Sequence, residues 1–258
     1  MSDAWLIFLG TAAGVPSGGS GMPGILLQYR GKYILLDAGE GTQISLSRLG
    51  IGSAKIDAIL VSHLHGDHIF GLPGLIQTMS MESRTRPLLV ISPAEIRSFL
   101  DASFRITSFT PSFEIKVEEP SRLSIGDAID VVPFRTCHTI SPSFGYLLVG
   151  KSHGGKVRFS LAYTGDTMPC DSYRNAIRGA EILIHDSTFS EEVGAEAWNY
   201  GHSTSRDAAL LARDIGARIL FLFHISSRYS SDPLVLEREA RRIFPMSFLA
   251  KDGMKFYL

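Results

Sequence analysis

The chain has 258 residues, 45% of them hydrophobic, which is enough to bury a sizeable core in one large domain or two small ones. Its 25 Lys and Arg residues against 26 Asp and Glu residues give a net charge of −1. This balance excludes a uniformly basic surface, so any contact with nucleic acid has to come from a local patch. No apolar run reaches the ~18 residues that a membrane-spanning helix needs. Residues 1–9 lack a basic region ahead of their apolar stretch, so we expect a first core strand and a cytoplasmic protein.

The two cysteines, Cys137 and Cys170, are too few for a disulfide framework, and neither belongs to a Cys-x-x-Cys pair. We therefore expect both to be reduced, partly buried thiols.

The first half of the chain alternates predicted strands with predicted helices. The strands are Trp5–Leu9, Ile25–Tyr29, Tyr33–Leu36, Ala58–Ser62 and Leu88–Ser92, and the helices are Thr42–Leu49, Ile69–Glu82 and Pro93–Ser103. Residues 109–163 are β-rich, with strands expected at Ile115–Val117, Ile129–Phe134, Phe144–Val149 and Val157–Tyr163. The alternation then returns, with strands at Ile182–His185 and Ile219–His224 and helices at Ser205–Ile215 and Pro233–Phe244.

Two β-rich stretches bracketed by helices predict an α/β protein in which two sheets pack together with helices outside. Neither a repeat nor a linker interrupts the pattern. The simplest organisation is a single domain that spans residues 1–258.

The strongest chemical signal is the segment Ser62–His68, which follows a predicted buried strand and leads into a helix. It holds four potential metal ligands within six residues, namely His63, His65, Asp67 and His68. Three of the eight histidines are clustered here beside an aspartate, which is improbable for an ordinary polar loop. Imidazole and carboxylate ligands at this density favour zinc, with Mn, Fe or Co as substitutes.

Three later residues, each directly after an apolar strand, supply the remaining ligands. They are His138, Asp166 and His224. Placing functional side chains at strand ends along one edge is a common way to build a site on an α/β scaffold. Each residue alone would be a weak signal, but together they complete a set.

The predicted coordination has two zinc ions. One is bound by His63, His65 and His138 and the other by Asp67, His68 and His224; Asp166 and a hydroxide bridge them. Two zinc ions about 3.5–4 Å apart lower the pKa of the bound water and hold both the attacking and the leaving oxygen of an in-line displacement. The arrangement suits phosphodiester hydrolysis.

This ligand set resembles the metallo-β-lactamase superfamily and, more narrowly, the ribonuclease Z family. Further matching segments cover nearly the whole chain: Phe8–Thr11, Asp37–Gln43, His68–Leu75, Tyr163–Thr167, Gly201–Thr204, His224–Tyr229 and Asp252–Met254. The resemblance implies an αββα sandwich of two mixed sheets, an endonuclease that trims tRNA 3′ ends, and a homodimer.

The resemblance also implies catalytic roles for His202, Asp186 and Asp67. His202 acts on the scissile phosphate or the leaving oxygen, a role that suits a histidine near its pKa; its alternative is an N-cap residue. The family orients this histidine with a glutamate, where this chain has Asp186, one methylene shorter. Asp67 is expected to be both ligand and proton acceptor.

Four further residues have roles that the sequence leaves open. Arg228 and Ser203 are candidates for contacting a substrate phosphate, and pairing with a carboxylate is the alternative for Arg228. Asp37 is expected to be a buried carboxylate that supports the ligands or fixes a turn, and His153 to be a turn residue.

Two departures from the family concern the substrate. Ribonuclease Z enzymes carry a long arm that grips tRNA, but here Tyr146 and Thr164 are close enough in sequence for only a tight hairpin. The loop Gly14–Pro23, which is basic in the family, has no basic residue. Because phosphate contacts supply most of the affinity for nucleic acid, losing both features weakens tRNA binding.

The leading hypothesis is therefore a two-zinc phosphodiesterase of the ribonuclease Z type that acts on small or generic phosphodiesters. The main alternative is a working tRNA 3′-endonuclease that binds an RNA 3′ end by other means. A thioester, lactone or β-lactam hydrolase on the same fold and a non-catalytic RNA-binding module are further alternatives.

Overall fold

The structure is a computed structural model that describes residues 4–17 and 19–258. Residues 1–3, which begin the predicted N-terminal segment, and Gly18, within the loop Gly14–Pro23, lie outside the described residues.

The strands are numbered in chain order. They are β1 Trp5–Gly10, β2 Ala12–Ala13, β3 Gly24–Tyr29, β4 Lys32–Leu36, β5 Ala58–Leu60, β6 Leu88–Ile91, β7 Ile115–Glu118, β8 Leu123–Ile125, β9 Ile129–Arg135, β10 Phe144–Lys151, β11 Val157–Tyr163, β12 Ile182–Asp186, β13 Ile219–Phe223, β14 Ile225–Ser226, β15 Ser247–Leu249 and β16 Lys255–Tyr257. The helices are α1 Thr42–Arg48, α2 Gly66–Ile69, α3 Leu72–Met81, α4 Ile96–Ile106, α5 Glu196–Asn199, α6 Ser205–Ile215 and α7 Leu234–Arg241.

In the described part of the chain, the strands form two seven-stranded mixed sheets and one short pair. The first sheet has the order β16-β1-β3-β4-β5-β6-β7 and the second β15-β13-β12-β11-β10-β9-β8, while β14 pairs with β2. Each large sheet has an antiparallel half and a parallel half; the parallel pairs are β4–β5, β5–β6 and β6–β7 in the first and β11–β12, β12–β13 and β13–β15 in the second.

Three apolar cores hold the layers together. The central core lies between the sheets, where Phe8 of β1 packs against Phe221 and Phe223 of β13. A second core joins the outer face of the first sheet to α1, α3 and α4, and a third joins the second sheet to α6 and α7. The result is the predicted αββα sandwich.

Most predicted elements are present, and the main difference is a helix that is divided in two. The predicted helix Ile69–Glu82 is interrupted between α2 and α3 at Gly71. A Cβ at Gly71 would lie 2.0 Å from the carbonyl oxygen of Gly39, so the chain passes here against another segment of backbone. This close approach fixes α2, which carries Asp67 and His68.

The hairpin of β10 and β11 is as short as the sequence predicts. The strands pair antiparallel from Tyr146 opposite Tyr163 to Lys151 opposite Val157, and residues 152–156 close the turn. The chain therefore lacks the extended arm at this position.

The prediction for the cysteines is wrong: Cys137 and Cys170 form a disulfide bond. Their positions, 33 residues apart, follow β9 and β11, whose carboxyl ends lie on either side of β10 in one sheet. The loops that follow β9 and β11 therefore come into contact, and no pattern in the sequence indicates this contact.

Within residues 4–17 and 19–258, no helix combines the length and the apolar character needed to cross a bilayer.

Candidate metal centre and active site

The predicted ligands meet at one edge of the sandwich because their segments follow strands that end there. His63 and His65 lie between β5 and α2, His138 follows β9, Asp166 follows β11, and His224 directly follows β13. His224 has a φ of 62°, a backbone conformation that non-glycine residues rarely adopt.

A first group of donor atoms comes from His63, His65, His138 and Asp166. Nδ1 of His65 lies 3.1 Å from Nε2 of His63 and 3.1 Å from Nε2 of His138. Oδ2 of Asp166 lies 3.7 Å from Nε2 of His63 and 3.8 Å from Nε2 of His138. Zinc with ligands at about 2.0–2.1 Å in a tetrahedron has ligand–ligand separations of roughly 3.3 Å, close to these distances.

A second group comes from Asp67, His68 and His224. The Nε2 atoms of the two histidines are 3.4 Å apart. Oδ2 of Asp67 lies 3.3 Å from Nε2 of His224 and 3.7 Å from Nε2 of His68. Asp166 joins the groups, because its Oδ1 lies 3.3 Å from His68 and its Oδ2 lies 3.3 Å from His224. All seven predicted ligands are therefore brought together.

The chemistry of these donors fits bound divalent metal. Among the described residues, the buried Oδ1 of Asp166 has no hydrogen-bond partner. Burial lowers the pKa of His63 well below its usual value, and His68 lowers it further, so its nitrogen is available as a neutral ligand. Burial also lowers the pKa of His68, but the charges of Asp166 and Asp37 outweigh it and raise this pKa well above its usual value. His68 thus lies where two carboxylates favour positive charge.

Four of the ligand histidines have the nitrogen that faces away from the site held by a hydrogen bond. Each of these Nδ1 atoms lies 2.8–2.9 Å from its partner. His63 contacts the Ser62 hydroxyl and His68 the Asp37 carboxylate. His138 contacts the Gly201 carbonyl and His224 the Thr188 hydroxyl. Such partners fix the ring and raise its basicity toward a metal. The sequence analysis assigned no role to Ser62, Gly201 or Thr188. Ser62 and Gly201 do lie in recognised segments, Ser62–His68 and Gly201–Thr204, but nothing in the sequence indicates which proposed ligand each of them contacts.

Asp37 is a supporting residue, as predicted, and its contacts are more extensive than a turn requires. Its buried carboxylate accepts hydrogen bonds from the Ser62 backbone, the Ser62 hydroxyl and the Tyr163 hydroxyl, and it also holds His68. Burial and the negative charge of Asp37 raise the pKa of Tyr163 well above its usual value, so the phenol remains a donor.

His202 is oriented by Asp186. Its Nδ1 lies 2.8 Å from Oδ2 of Asp186, and its ring stacks on that of His224 with centroids 5.1 Å apart. Burial lowers the pKa of His202, but the Asp186 charge outweighs it and raises the pKa to about 9. Thr204 and Asp207 form the capping box of α6, so His202 is not the N-cap residue.

The two candidates for phosphate contact differ in their surroundings. Arg228 is exposed, and its guanidinium lies over the Phe189 ring at 4.8 Å from the centroid; in the described part of the chain no carboxylate pairs with it. Ser203 is fully buried and donates its hydroxyl to the Thr167 carbonyl at 2.6 Å, so this hydroxyl does not face a substrate. Exposed His153 lies within the turn that joins β10 and β11, as predicted, and its Nδ1 is 2.5 Å from the Arg30 guanidinium, away from the metal centre.

The fold and the donor set define the class of the protein. Residues 32–225 match the Beta-lactamase superfamily domain. The chain therefore belongs to the metallo-β-lactamase superfamily, whose fold implies divalent metal binding.

Comparison with individual relatives narrows the class to the ribonuclease Z family, to which the chain belongs. It is 40% identical to ribonuclease Z of Sulfolobus acidocaldarius, with 98% of each chain covered, and 38% identical to that of Metallosphaera sedula, with 95% of this chain and 96% of the relative covered. The first alignment spans 298 positions although this chain has 258 residues, so the relative contains residues without a counterpart here.

A solved structure agrees with this assignment. Human tRNase Z, short form, superimposes with a TM-score of 0.83 at 28% identity, and 98% of each chain is covered. The predictions of fold class and family are confirmed.

Proposed function

We propose that this protein is a two-zinc phosphodiesterase of the ribonuclease Z type that cleaves RNA. The observation that carries the proposal is the convergence of three side chains on each side of Asp166. Its oxygens lie 3.7 and 3.8 Å from His63 and His138 on one side, and 3.3 Å from both His68 and His224 on the other. When bound, the two ions lower the pKa of a water molecule and stabilise negative charge on the phosphate oxygens.

We assign His63, His65 and His138 to one zinc, and Asp67, His68 and His224 to the other, with Asp166 shared. Burial raises the pKa of Asp67, but its hydrogen bond with His224 and the charge of His68 outweigh it, so this pKa lies below the usual value. Asp67 is then an anionic ligand, and the Gly14 backbone N–H donates to its Oδ2 at 3.0 Å. A second role for Asp67 as proton acceptor would use its other oxygen.

His202 is the residue that donates a proton to the leaving oxygen. The hydrogen bond to Asp186 holds the proton on Nδ1 and fixes the ring, which leaves Nε2 to face the substrate. The raised pKa keeps the imidazole protonated at neutral pH, as a proton donor must be. We assign the contact with a phosphate oxygen to Arg228, whose guanidinium lies over the Phe189 ring; that ring in turn lies 6.1 Å from the His202 ring, centroid to centroid.

RNA is the proposed substrate because relatives that align over almost the whole chain are ribonucleases Z. A small phosphodiester is the second candidate, and the tight β10–β11 hairpin and the loop without basic residues favour it. The two candidates differ in binding, not in the chemistry at the metals.

The deciding experiment compares zinc-loaded protein on a 3′-extended pre-tRNA and on bis(p-nitrophenyl) phosphate. Cleavage of the pre-tRNA at one mapped bond near the acceptor end supports the RNA substrate. Turnover of the small diester alone supports the second candidate. Hydrolysis of a thioester or lactone with neither diester cleaved overturns the proposal, as does a full zinc complement without any hydrolysis.

We further propose a cytoplasmic homodimer. The resemblance to the family suggests the dimer, and Val15, Ile44 and Phe70, each more than half exposed, are apolar residues available for a contact between copies. Light scattering coupled to size-exclusion chromatography tests the dimer, and a mass of one chain contradicts it.

A further inference from the structure

An exposed aromatic surface lies beside the proposed proton donor. Trp198 and Tyr200 retain 45% and 53% of their surface exposed, although large aromatic side chains are more often covered. Together with the buried Phe189, whose ring packs near that of Tyr200, we call these residues the aromatic shelf. Neither the metal centre nor the proton donor uses the two exposed rings.

The shelf is fixed relative to the metal ligands. Gly201, directly after Tyr200, accepts a hydrogen bond from Nδ1 of His138 at 2.8 Å. Its φ is 75°, and a Cβ at this position would lie 2.8 Å from the same nitrogen. The backbone that carries Tyr200 therefore packs directly on a metal ligand.

The aromatic rings are also linked to the catalytic side. The Phe189 ring lies 6.1 Å from Tyr200 and 6.1 Å from His202, centroid to centroid, and the Arg228 guanidinium covers it at 4.8 Å. Trp198 is held in place because its indole N–H donates to Asp207 at 3.1 Å. A cation and exposed, ordered rings thus stand next to the place where a phosphate would be cleaved.

We propose that the shelf binds a nucleobase of the nucleotide next to the scissile phosphate, with the base stacked on Tyr200. Aromatic side chains flanked by a cation are the usual means of holding single-stranded RNA without reading its sequence. Such a contact supplies affinity that does not depend on an extended arm or a basic loop. The inference rests on the proposed function, because it needs an RNA substrate.

The test is a cycle that removes the ring and the base separately. A 5′-radiolabelled RNA that the wild type cuts at one mapped bond is compared with the same RNA carrying an abasic nucleotide on either side of that bond in turn. Tyr200→Ala is expected to lower kcat/KM on the complete RNA about 5- to 150-fold, the range expected for one stacked base. On one of the abasic RNAs, the wild type and the variant should be equal.

Matched variants separate stacking from damage to the site. Tyr200→Phe keeps the ring and should retain kcat/KM within about two-fold. Tyr257→Ala removes an exposed tyrosine on β16 and should have no effect. Zinc content of Tyr200→Ala should equal that of the wild type.

Three outcomes overturn the shelf alone: Tyr200→Ala cleaves the complete RNA normally, it slows the complete RNA and both abasic RNAs equally, or it changes only the oligomeric state. Failure of the wild type to cleave any RNA overturns the proposed function, and the shelf with it.

Discussion

Oδ2 of Asp186 lies 2.8 Å from Nδ1 of His202, although the family uses a glutamate at this position. Asp186 is the last residue of β12, and its carboxylate also accepts hydrogen bonds from the Thr167 and Thr188 backbone N–H groups, each at 3.0 Å. These bonds fix the shorter side chain where it meets the imidazole. The missing methylene does not break the contact.

The proton-donor role predicts the effect of two substitutions. His202→Ala should reduce kcat for a phosphodiester by about 10²-fold or more, because the leaving oxygen loses its proton source. Asp186→Asn should also lower kcat, because a neutral amide does not stabilise the protonated imidazole of His202 as the carboxylate does. Steady-state kinetics of the zinc-loaded variants measure both effects. His153→Ala, which removes an exposed histidine beside a distant turn, should match the wild type. Unchanged turnover in His202→Ala would remove the proposed role.

The raised pKa of His202 also predicts a pH-dependent stability. With no ion bound, its pKa is raised above the usual value of 6.5 to about 9, so the charged form is favoured by folding. The resulting stabilisation is fully present below pH 6.5 and is lost as the pH rises through 9. The free energies of unfolding of metal-free wild type and His202→Gln should therefore converge between pH 6.5 and pH 9. Urea denaturation measures the difference, and a constant difference across this range would contradict the prediction.

Thr188 is predicted to be needed for metal affinity, although it is not a ligand. Its hydroxyl donates to Oδ1 of Asp186 at 2.7 Å and accepts from Nδ1 of His224 at 2.9 Å, so it connects a metal ligand to the carboxylate behind the proton donor. Thr188→Val keeps the shape and removes both bonds. Residues that orient a ligand histidine typically contribute about 10- to 100-fold in affinity.

Competition with a zinc chelator measures this effect, which should be confined to the ion that His224 is proposed to bind. Thr107→Val, at the exposed end of α4, is the control and should bind zinc like the wild type. Wild-type affinity in Thr188→Val would show that the hydroxyl does not orient His224.

The sequence predicted the site better than its surroundings, for a physical reason. Proposed ligands such as His63 and His224 follow apolar strands, and the local pattern therefore identifies them one by one. Their meeting also requires the two sheets to stack with these strand ends at the same edge, which the resemblance to the family implied. Thr188 and the Gly201 carbonyl act through contacts between segments far apart in the chain, whereas Ser62 contacts the adjacent His63. The residue types of all three are common everywhere.

The same contrast between local pattern and contacts of distant segments applies to the fold. Long periodic segments such as α6 were predicted to the residue, whereas β15 and β16, with three residues each, were missed because their length carries no periodicity. The division of the predicted helix at Gly71 depends on contact with Gly39, more than thirty residues away.

The disulfide between Cys137 and Cys170 is predicted to stabilise both the protein and its metal centre. Cys137 immediately precedes the ligand His138, and Cys170 lies in the loop that follows the ligand Asp166, so the bond joins two ligand-bearing loops. Linking cysteines 33 residues apart lowers the entropy of the unfolded chain, and this adds about 2–4 kcal/mol to the free energy of unfolding. The double variant Cys137→Ser/Cys170→Ser should lose a comparable free energy of unfolding and should release zinc faster to a chelator. Reductant should bring the wild type to the same behaviour and should leave the double variant unchanged. Equal stability of the variant and the oxidised wild type would show that the bond does not stabilise these loops.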